Sequence, residues 1–308
     1  MSAEQEAHGG ILCVGLLCID IVNFVERFPA EDTDSRVHEQ QWTLGGNGAN
    51  NMTVLNQFSS HNHFFTTLCN DALYPMVQQL LLKSKINTDL CILRDDCAVP
   101  LSTVLVSDDT GSRTILHYRG NLFEPTIDEF SRKIDVQRYS WIHFEGRNFD
   151  ETRKMMEHVR KHRGSDRLPR ISVEIEKVRP APTLEQLIPG ADVVFLSKDF
   201  ARSRGFFDME SAVNGVFGLF ASPETTVVCA WAELGACARL PDGTVVIAPA
   251  HSPSKVVDTL AAGDTFVAAM IHYMHGGADA HTALQGACRI AGKKVGQRGL
   301  FGLVERDS

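Results

Sequence analysis

The string Val256-Val257-Asp258-Thr259-Leu260-Ala261-Ala262-Gly263-Asp264-Thr265-Phe266 runs small residues into a helical pattern. Ala261, Ala262 and Gly263 carry almost no side chain, so their backbone N–H groups can converge on an anion at a helix N-terminus, where the macrodipole also favours negative charge. Asp264 then falls in the first helical turn beside that anion, placed to take a proton from an attacking hydroxyl. An Asp after a Gly at a helix start is also a common cap for orphan N–H groups. Asp258, six residues earlier at a strand end, and the small residues along the whole turn set the functional reading beside the capping one.

A second string, Gly45-Gly46-Asn47-Gly48-Ala49-Asn50, opens a helix beginning near Asn51. Asn47 and Asn50, three apart, share a face of a helical turn and could both bond the hydroxyls of a polyol; the alternative is a Gly-rich turn with an Asn cap. It is not a dinucleotide fingerprint, because Asn51 stands where the third Gly belongs, and Gly286 to Lys293 is one residue too long for a phosphate-binding loop of the Walker type. A phosphate site is therefore expected at Ala261 to Asp264.

Single residues add to this. Asp20 interrupts an apolar strand, which is costly unless its carboxylate is paired or meets a ligand. His143 and Glu145 in WIHFEGR lie two apart and face one side of a strand whose end should reach a cleft. Glu145 is the candidate there, and His143 reads as a core histidine. Lys198 follows a buried strand and could reach a phosphate or a carboxylate; Trp231 and Glu233 also end a strand. Arg113 sits beside a hairpin turn, where most arginines are solvated. His158 and His162 lack the HExxH pattern and read as a wet helix face, as do His61 and His63.

The elements that must position these residues follow from periodicity. Ile11 to Val25, Ser140 to Glu145 and Ala191 to Ser197 read as strands. Asn51 to Phe58, Asp150 to His162 and Met209 to Phe220 read as helices between them, an alternation that predicts a parallel sheet with crossover helices and ligands at the C-terminal strand ends. LSTVLVS and RTILHY, flanking DDTGS within Val99 to Tyr118, predict an antiparallel hairpin, which with strands from Asp20 to Leu44 would form a small β-layer over the cleft. A second hairpin is expected from Thr226 to Ala232 and Thr244 to Ala248, with Pro241, Asp242 and Gly243 as its turn. From Gly263 onward two helices are broken at Gly276 and Gly277.

The 308 residues have ordinary globular composition, 44% hydrophobic and 22% charged. Thirty Lys and Arg against 38 Asp and Glu give a net charge of −8, which argues against a nucleic-acid backbone or an anionic membrane as partner. No apolar run approaches the ~20 residues of a membrane span. The tail MSAEQEAH carries Glu4 and Glu6 where a signal peptide carries Lys or Arg. Eight cysteines sit without CxxC pairs, so they read as buried reduced thiols of a cytoplasmic protein.

Together, Gly-Gly-Asn-x-x-Asn and Asp-Thr-x-x-x-Gly-Asp, about 200 residues apart, resemble the PfkB (ribokinase-like) family of carbohydrate kinases. The similarity runs over nearly the whole chain, through ILCVGLLCIDIV, GSRTILHYR, WIHFEGRN, ISVEIEK, DVVFLSKD, VVCAWAELGA, VVDTLAAGDTF and AGKKVG, and looks greatest to the fructose-phosphorylating branch. The resemblance implies an α/β ribokinase-like fold: a central mostly parallel sheet flanked by helices with a small β-sheet lid, and one kinase domain over 1–308 with lid strands from about 20–44 and 99–119. It implies transfer of the ATP γ-phosphoryl group to a ketose hydroxyl, giving fructose 1-phosphate. Asp264 would be the base, the Ala261, Ala262 and Gly263 amides the anion hole, and Asp20, Gly46, Asn47 and Asn50 would hold the sugar. Arg113 is expected near the phosphates, Lys198 near the nucleotide, and Trp231, Ala232, Glu233 and Gly235 along the ATP site. Asp258 and the Leu260 carbonyl match positions for a monovalent cation, K⁺, while Mg²⁺ would arrive with ATP. A homodimer through the β-clasp is expected.

Three positions depart from the family pattern. Ala261 stands where the fructose branch carries Gly, the Asn-x-x-Glu motif is replaced by Ser197-Lys198-Asp199-Phe200, and Gly296 to Leu303 matches loosely. The alternatives are a same-fold kinase for ribose, another sugar or a nucleoside, distinguished by the lid, and a catalytically silent sugar or nucleotide sensor. A dinucleotide oxidoreductase lacks its glycine fingerprint.

Overall fold

A computed structural model describes residues 9–176, 178 and 184–304. The acidic tail read against a signal peptide, and Lys177 of ISVEIEK, lie outside the described residues. In chain order the elements are β1 (Gly10–Val14), β2 (Cys18–Val25), β3 (Glu39–Gly45), α1 (Asn47–Phe58), β4 (Asn62–Phe65), β5 (Thr67–Cys69), α2 (Tyr74–Lys83), β6 (Ile92–Arg94), β7 (Leu101–Ser107), β8 (Arg113–Tyr118), α3 (Ile127–Lys133), β9 (Tyr139–Glu145), α4 (Phe149–His162), β10 (Arg170–Ile175), β11 (Val193–Leu196), α5 (Lys198–Ser203), α6 (Met209–Phe220), β12 (Thr226–Ala230), β13 (Ala236–Arg239), β14 (Val245–Ala248), α7 (Ala262–His275) and α8 (Ala280–Val295).

The large sheet has the order β14-β13-β12-β11-β10-β9-β1-β4. From β12 to β4 every pair is parallel, which puts the ends of β9, β10, β11 and β12 on one edge. These strands are largely buried and mostly apolar because helices cover both faces. Alternation along β1 shows it: Ile11 and Cys13 join the cluster under α1, α7 and α8, while Leu12 and Val14 join the one under α3, α4 and α6. The fold class predicted from the alternation is the one observed.

The smaller sheet, β3-β2-β7-β8, carries the hairpin expected at Val99 to Tyr118: Leu101 pairs with Tyr118 and Val106 with Arg113. Val22, Phe24, Val104 and Val106 form its own small core, against which Leu260 packs.

Three expectations are corrected. Ile11 to Val25 is two strands in different sheets: β1 ends at Val14, the chain crosses at Gly15 to Leu17, and β2 pairs with β3 and β7. Both halves are apolar, so nothing in local periodicity marks the crossing. The second hairpin is miscast as well. β12 does not pair with β14; β13 lies between them, and Pro241 to Gly243 turns β13 into β14. Gly235, at φ +101, reverses the chain directly after β12, and a β-carbon there would lie 2.0 Å from the Ala248 carbonyl oxygen. The helix expected from Asn51 begins at Asn47, so both asparagines of the second string are helical.

All eight cysteines are free and buried, as read from their apolar settings. His143 is a core residue too, with Nδ1 2.9 Å from Ser172 Oγ. No helix among the described residues is long and apolar enough to cross a membrane.

Candidate active site

The α7 N-terminus is built by Ala261, whose left-handed backbone (φ 58, ψ 20) turns the chain into the helix. A Cβ at Gly263 would have no heavy atom within 4 Å, so this first-turn residue faces open space. That is the opening an anion needs to reach helix N-terminal amides. Of the three amides expected to form the hole, that of Ala262 already donates a long 3.3 Å bond to the Thr259 carbonyl. Asp264 is 8% exposed, and Asn50 Nδ2 donates to its Oδ2 at 2.6 Å. α1 and α7 pack together, so residues 214 apart meet: the two strings singled out in the sequence form one site.

The lid reaches the same turn. Arg113 Nη1 donates to Thr259 Oγ1 at 3.3 Å, and that hydroxyl donates to the Gly111 carbonyl at 3.2 Å. Arg113, on β8, thus stands beside the turn that leads into α7.

Asp20, Asn50, Leu260 and Ala261 line a cavity of about 220 Å³ that also takes in Thr43, Asp258 and Lys294. Asp20 is buried, with Cys18 Sγ donating to its Oδ1 at 3.4 Å. Its carboxylate lies against Gly45, where a β-carbon would come within 2.2 Å, so only glycine fits beside it. Gly46 (φ +89) crosses close over the Leu16 carbonyl and starts α1. Asn47 points to a pair of acids that the sequence reading passed over: its Nδ2 donates to Glu174 Oε2 at 3.1 Å and to Glu176 Oε2 at 2.8 Å. Burial first, then the negative charges of Asp264 and Glu176, push the Glu174 carboxyl well above the usual range. The available signal was that Glu174 and Glu176 flank Ile175 at the C-terminal end of a buried strand.

Glu145, proposed to face substrate, is engaged by the protein. Its Oε2 accepts from the amides of Leu16 (2.7 Å) and Gly48 (3.2 Å), and its Oε1 accepts from Arg147 Nη1 at 2.9 Å. Arg147 Nε also donates to Glu124 at 2.7 Å. Glu145 therefore fastens the β1–β2 crossing and the start of α1.

Asp258 is likewise occupied. Oδ1 accepts from the Leu260 amide at 2.8 Å, and Oδ2 accepts from Lys294 Nζ at 2.5 Å and the Gly299 amide at 3.3 Å. The K⁺ ligand set carried over from the family, this carboxylate and the Leu260 carbonyl, does not fit these contacts, since a lysine ammonium already neutralises the acid. The loosely matching segment Gly296 to Leu303 packs here and against the lid: Arg298 bonds Glu39 and Asp108 (3.3 Å to the latter), and its guanidinium lies 4.0 Å from the Phe24 ring centroid.

The residues expected on the nucleotide side gather at the ends of β11 and β12. Lys198 opens α5, with Nζ donating to Glu233 Oε1 at 3.0 Å. Ala232 to Leu234 form a 3-10 turn between Trp231 and Gly235, closed by the Trp231 amide donating to the Gly235 carbonyl at 2.7 Å. Trp231 is buried, with the Arg202 guanidinium 5.9 Å from its ring. Here the chain turns away from the edge of the sheet, leaving Lys198 and Glu233 to flank that surface.

A β-sheet clasp over a parallel sheet, with a helix N-terminus and a buried Asp in the cleft, defines a sugar-kinase class of site. The chain matches the pfkB family carbohydrate kinases over residues 9–305 and belongs to that family. Its fold is ribokinase-like. A putative ribokinase from Agrobacterium tumefaciens superposes with a TM-score of 0.81 at 19% identity, covering 95% of this chain and 92% of the other. Ribokinase from Giardia lamblia gives 0.79 at 16%, covering 97% and 96%. Among relatives in sequence, ketohexokinase of Mus musculus is 40% identical over 299 residues, spanning 96% of this chain and 98% of the mouse protein.

Proposed function

We propose that this chain is an ATP-dependent ketohexokinase that converts D-fructose and ATP to fructose 1-phosphate and ADP. The observation that carries the reading is the meeting of Asp264 with Asn50 beside the open α7 N-terminus, in a chain 40% identical to mouse ketohexokinase. In this mechanism Asp20, Gly46, Asn47 and Asn50 border the sugar, and Asn50 orients the Asp264 carboxylate. Asp264 takes the proton of the attacking hydroxyl as its oxygen bonds to the γ-phosphorus, and the bond from phosphorus to the β–γ bridging oxygen breaks to release ADP. The Gly263 end of α7 receives the charge on the transferring group, with Arg113 closing over it from the lid. Lys198 and the Trp231 to Gly235 turn border the nucleotide.

Among the described residues no group of three or more His, Cys, Asp or Glu could hold a metal ion. Mg²⁺ enters this proposal as part of the ATP complex, where it would neutralise phosphate charge. No step is drawn through K⁺. We read residues 1–308 as one kinase unit, because the lid and the anion-hole turn are bonded through Arg113 and Thr259. A homodimer through the clasp is proposed on the exposed apolar side chains of the lid sheet, Trp42, Ile115, Leu116 and Tyr118. A cytoplasmic setting is proposed on eight cysteines that are all buried and without CxxC pairs.

The test is ADP release by the purified protein with Mg²⁺ATP and fructose, ribose, adenosine or no acceptor, in parallel. Preference for fructose is expected. Ribose or adenosine turnover would overturn the substrate, and ATP binding without turnover on any acceptor would make the chain a sensor.

A further inference from the structure

Among the described residues Lys294 is the one lysine buried almost completely, at 1% exposure. Helical phase puts it there: Ala283, Ala287, Ile290 and Lys294 all lie on the inward face of α8. Lysines are almost never buried without a partner, because the ammonium must be stripped of water. Here Nζ donates to Asp258 Oδ2 at 2.5 Å and to the Asp258 main-chain carbonyl at 3.1 Å. The neighbouring Val295 carbonyl accepts the amides of Val257 (2.8 Å) and Asp258 (3.2 Å). The end of α8 thus grips both the side chain and the backbone of the residue three positions ahead of Ala261.

Replacing Lys294 and Asp258 together by apolar side chains of similar volume would fill the same space without the desolvation penalty, and such paired replacements are often neutral or stabilising. Packing alone therefore does not account for a lysine. What a lysine adds is a fixed positive charge lining the cavity beside Leu260 and Ala261.

We propose that Lys294 is the built-in cation behind the anion hole: a positioning residue that, through Asp258, holds the turn from Asp258 to Gly263 in the form that receives the transferring phosphoryl group. It stands where the family resemblance would place a monovalent metal ion. The proposal rests on the reading of Asp264 and the α7 N-terminus as the transfer site.

The experiment compares wild type, Lys294→Met, Lys294→Arg and Lys294→Ala in ADP release with fructose, each with a thermal melt and calorimetric ATP binding. Lys294→Met is expected to lose about 100-fold in kcat, with KM for fructose within about threefold of wild type. Methylammonium chloride, which returns an ammonium to the vacated space, is expected to raise Lys294→Ala turnover at least about tenfold more than it raises wild type. A folded Lys294→Met with wild-type kcat overturns the proposal. So does a loss in Lys294→Ala that no amine relieves, which would make the residue merely structural. If Lys294→Met fails to fold, the amine response of Lys294→Ala decides. A wild type inactive on every acceptor would instead sink the kinase reading, and is distinguishable on that ground.

Discussion

Replacing Asp264 by Asn keeps the shape of the side chain and removes both its charge and its basicity. A positioned general base contributes about 10²–10⁴ in rate, equivalent to about 3–5 kcal/mol of barrier. Stability should move far less, because two effects oppose. The 2.6 Å bond from Asn50 loses its charge assistance, about 1 kcal/mol. Against this, Glu174 is relieved of the negative charge that, after burial, does most to hold its carboxyl above the usual range. An acid raised on folding stabilises the protein only below its unfolded value and weighs against it at neutral pH, so removing the neighbouring charge returns stability there. The expected result is kcat lowered by about 10²–10⁴, KM for fructose and ATP affinity little changed, and a Tm within about 3 °C of wild type. ADP release, calorimetry and a melt measure all three. Turnover above a tenth of wild type would refute the assignment of the base, and loss of ATP binding with the melt would show that Asp264 holds the fold rather than the chemistry.

Two further outcomes follow from named groups. Burial pushes the His143 imidazole down to about 3 from an ordinary 6.5. Because a depressed base favours the folded state only above its unfolded value, acidification from pH 6.5 toward 3 should erode stability by about 2 kcal/mol by pH 5; urea midpoints at pH 7 and 5 should show it, and an undiminished loss in His143→Gln would locate the effect elsewhere. Ala261 sits at φ 58, where a β-carbon costs about 1 kcal/mol. Ala261→Gly should therefore raise Tm by about 2 °C at near-normal turnover, and a lowered Tm would show that the chain's added freedom when unfolded outweighs the strain.

What could be read from the sequence was local or periodic. Gly45 to Asn50 and Asp258 to Asp264 are contiguous strings, each open alone to a capping or turn reading and recognisable as a pair, and α4, α6, α7 and the β7–β8 hairpin carry their own periodicity and turn residues. What could not be read depends on pairing across the chain. Gly15 to Leu17 separates two apolar strands that belong to different sheets, and only the partners of β1 and β2 distinguish them. β13 has four residues, too few for a pattern. Glu145 was placed on the right strand end, but the amides of Leu16 and Gly48 that claim it lie 129 and 97 residues away. Lys293 and Lys294 look like paired surface charges at a helix end until helical phase is counted against Ala283, Ala287 and Ile290.

Two buried charge groups flank the residues proposed to react, and each fixes the start of a helix. Glu145, with Arg147 and Glu124 behind it, accepts from Leu16 and Gly48, and so sets where α1 begins and where Asn47 and Asn50 point. Lys294 and Asp258 hold the turn that delivers Ala261, Gly263 and Asp264 at the start of α7. Buried ion pairs seldom add net stability over apolar residues of the same volume, so the two groups need a reason beyond packing. Phosphoryl transfer supplies one: with little covalent chemistry for the protein to do, its rate depends on where the acceptor, the base and the anion-binding amides sit. A misplacement of about 1 Å can cost 10²-fold, and charges locked in a dry interior are stiffer supports than side chains free to repack.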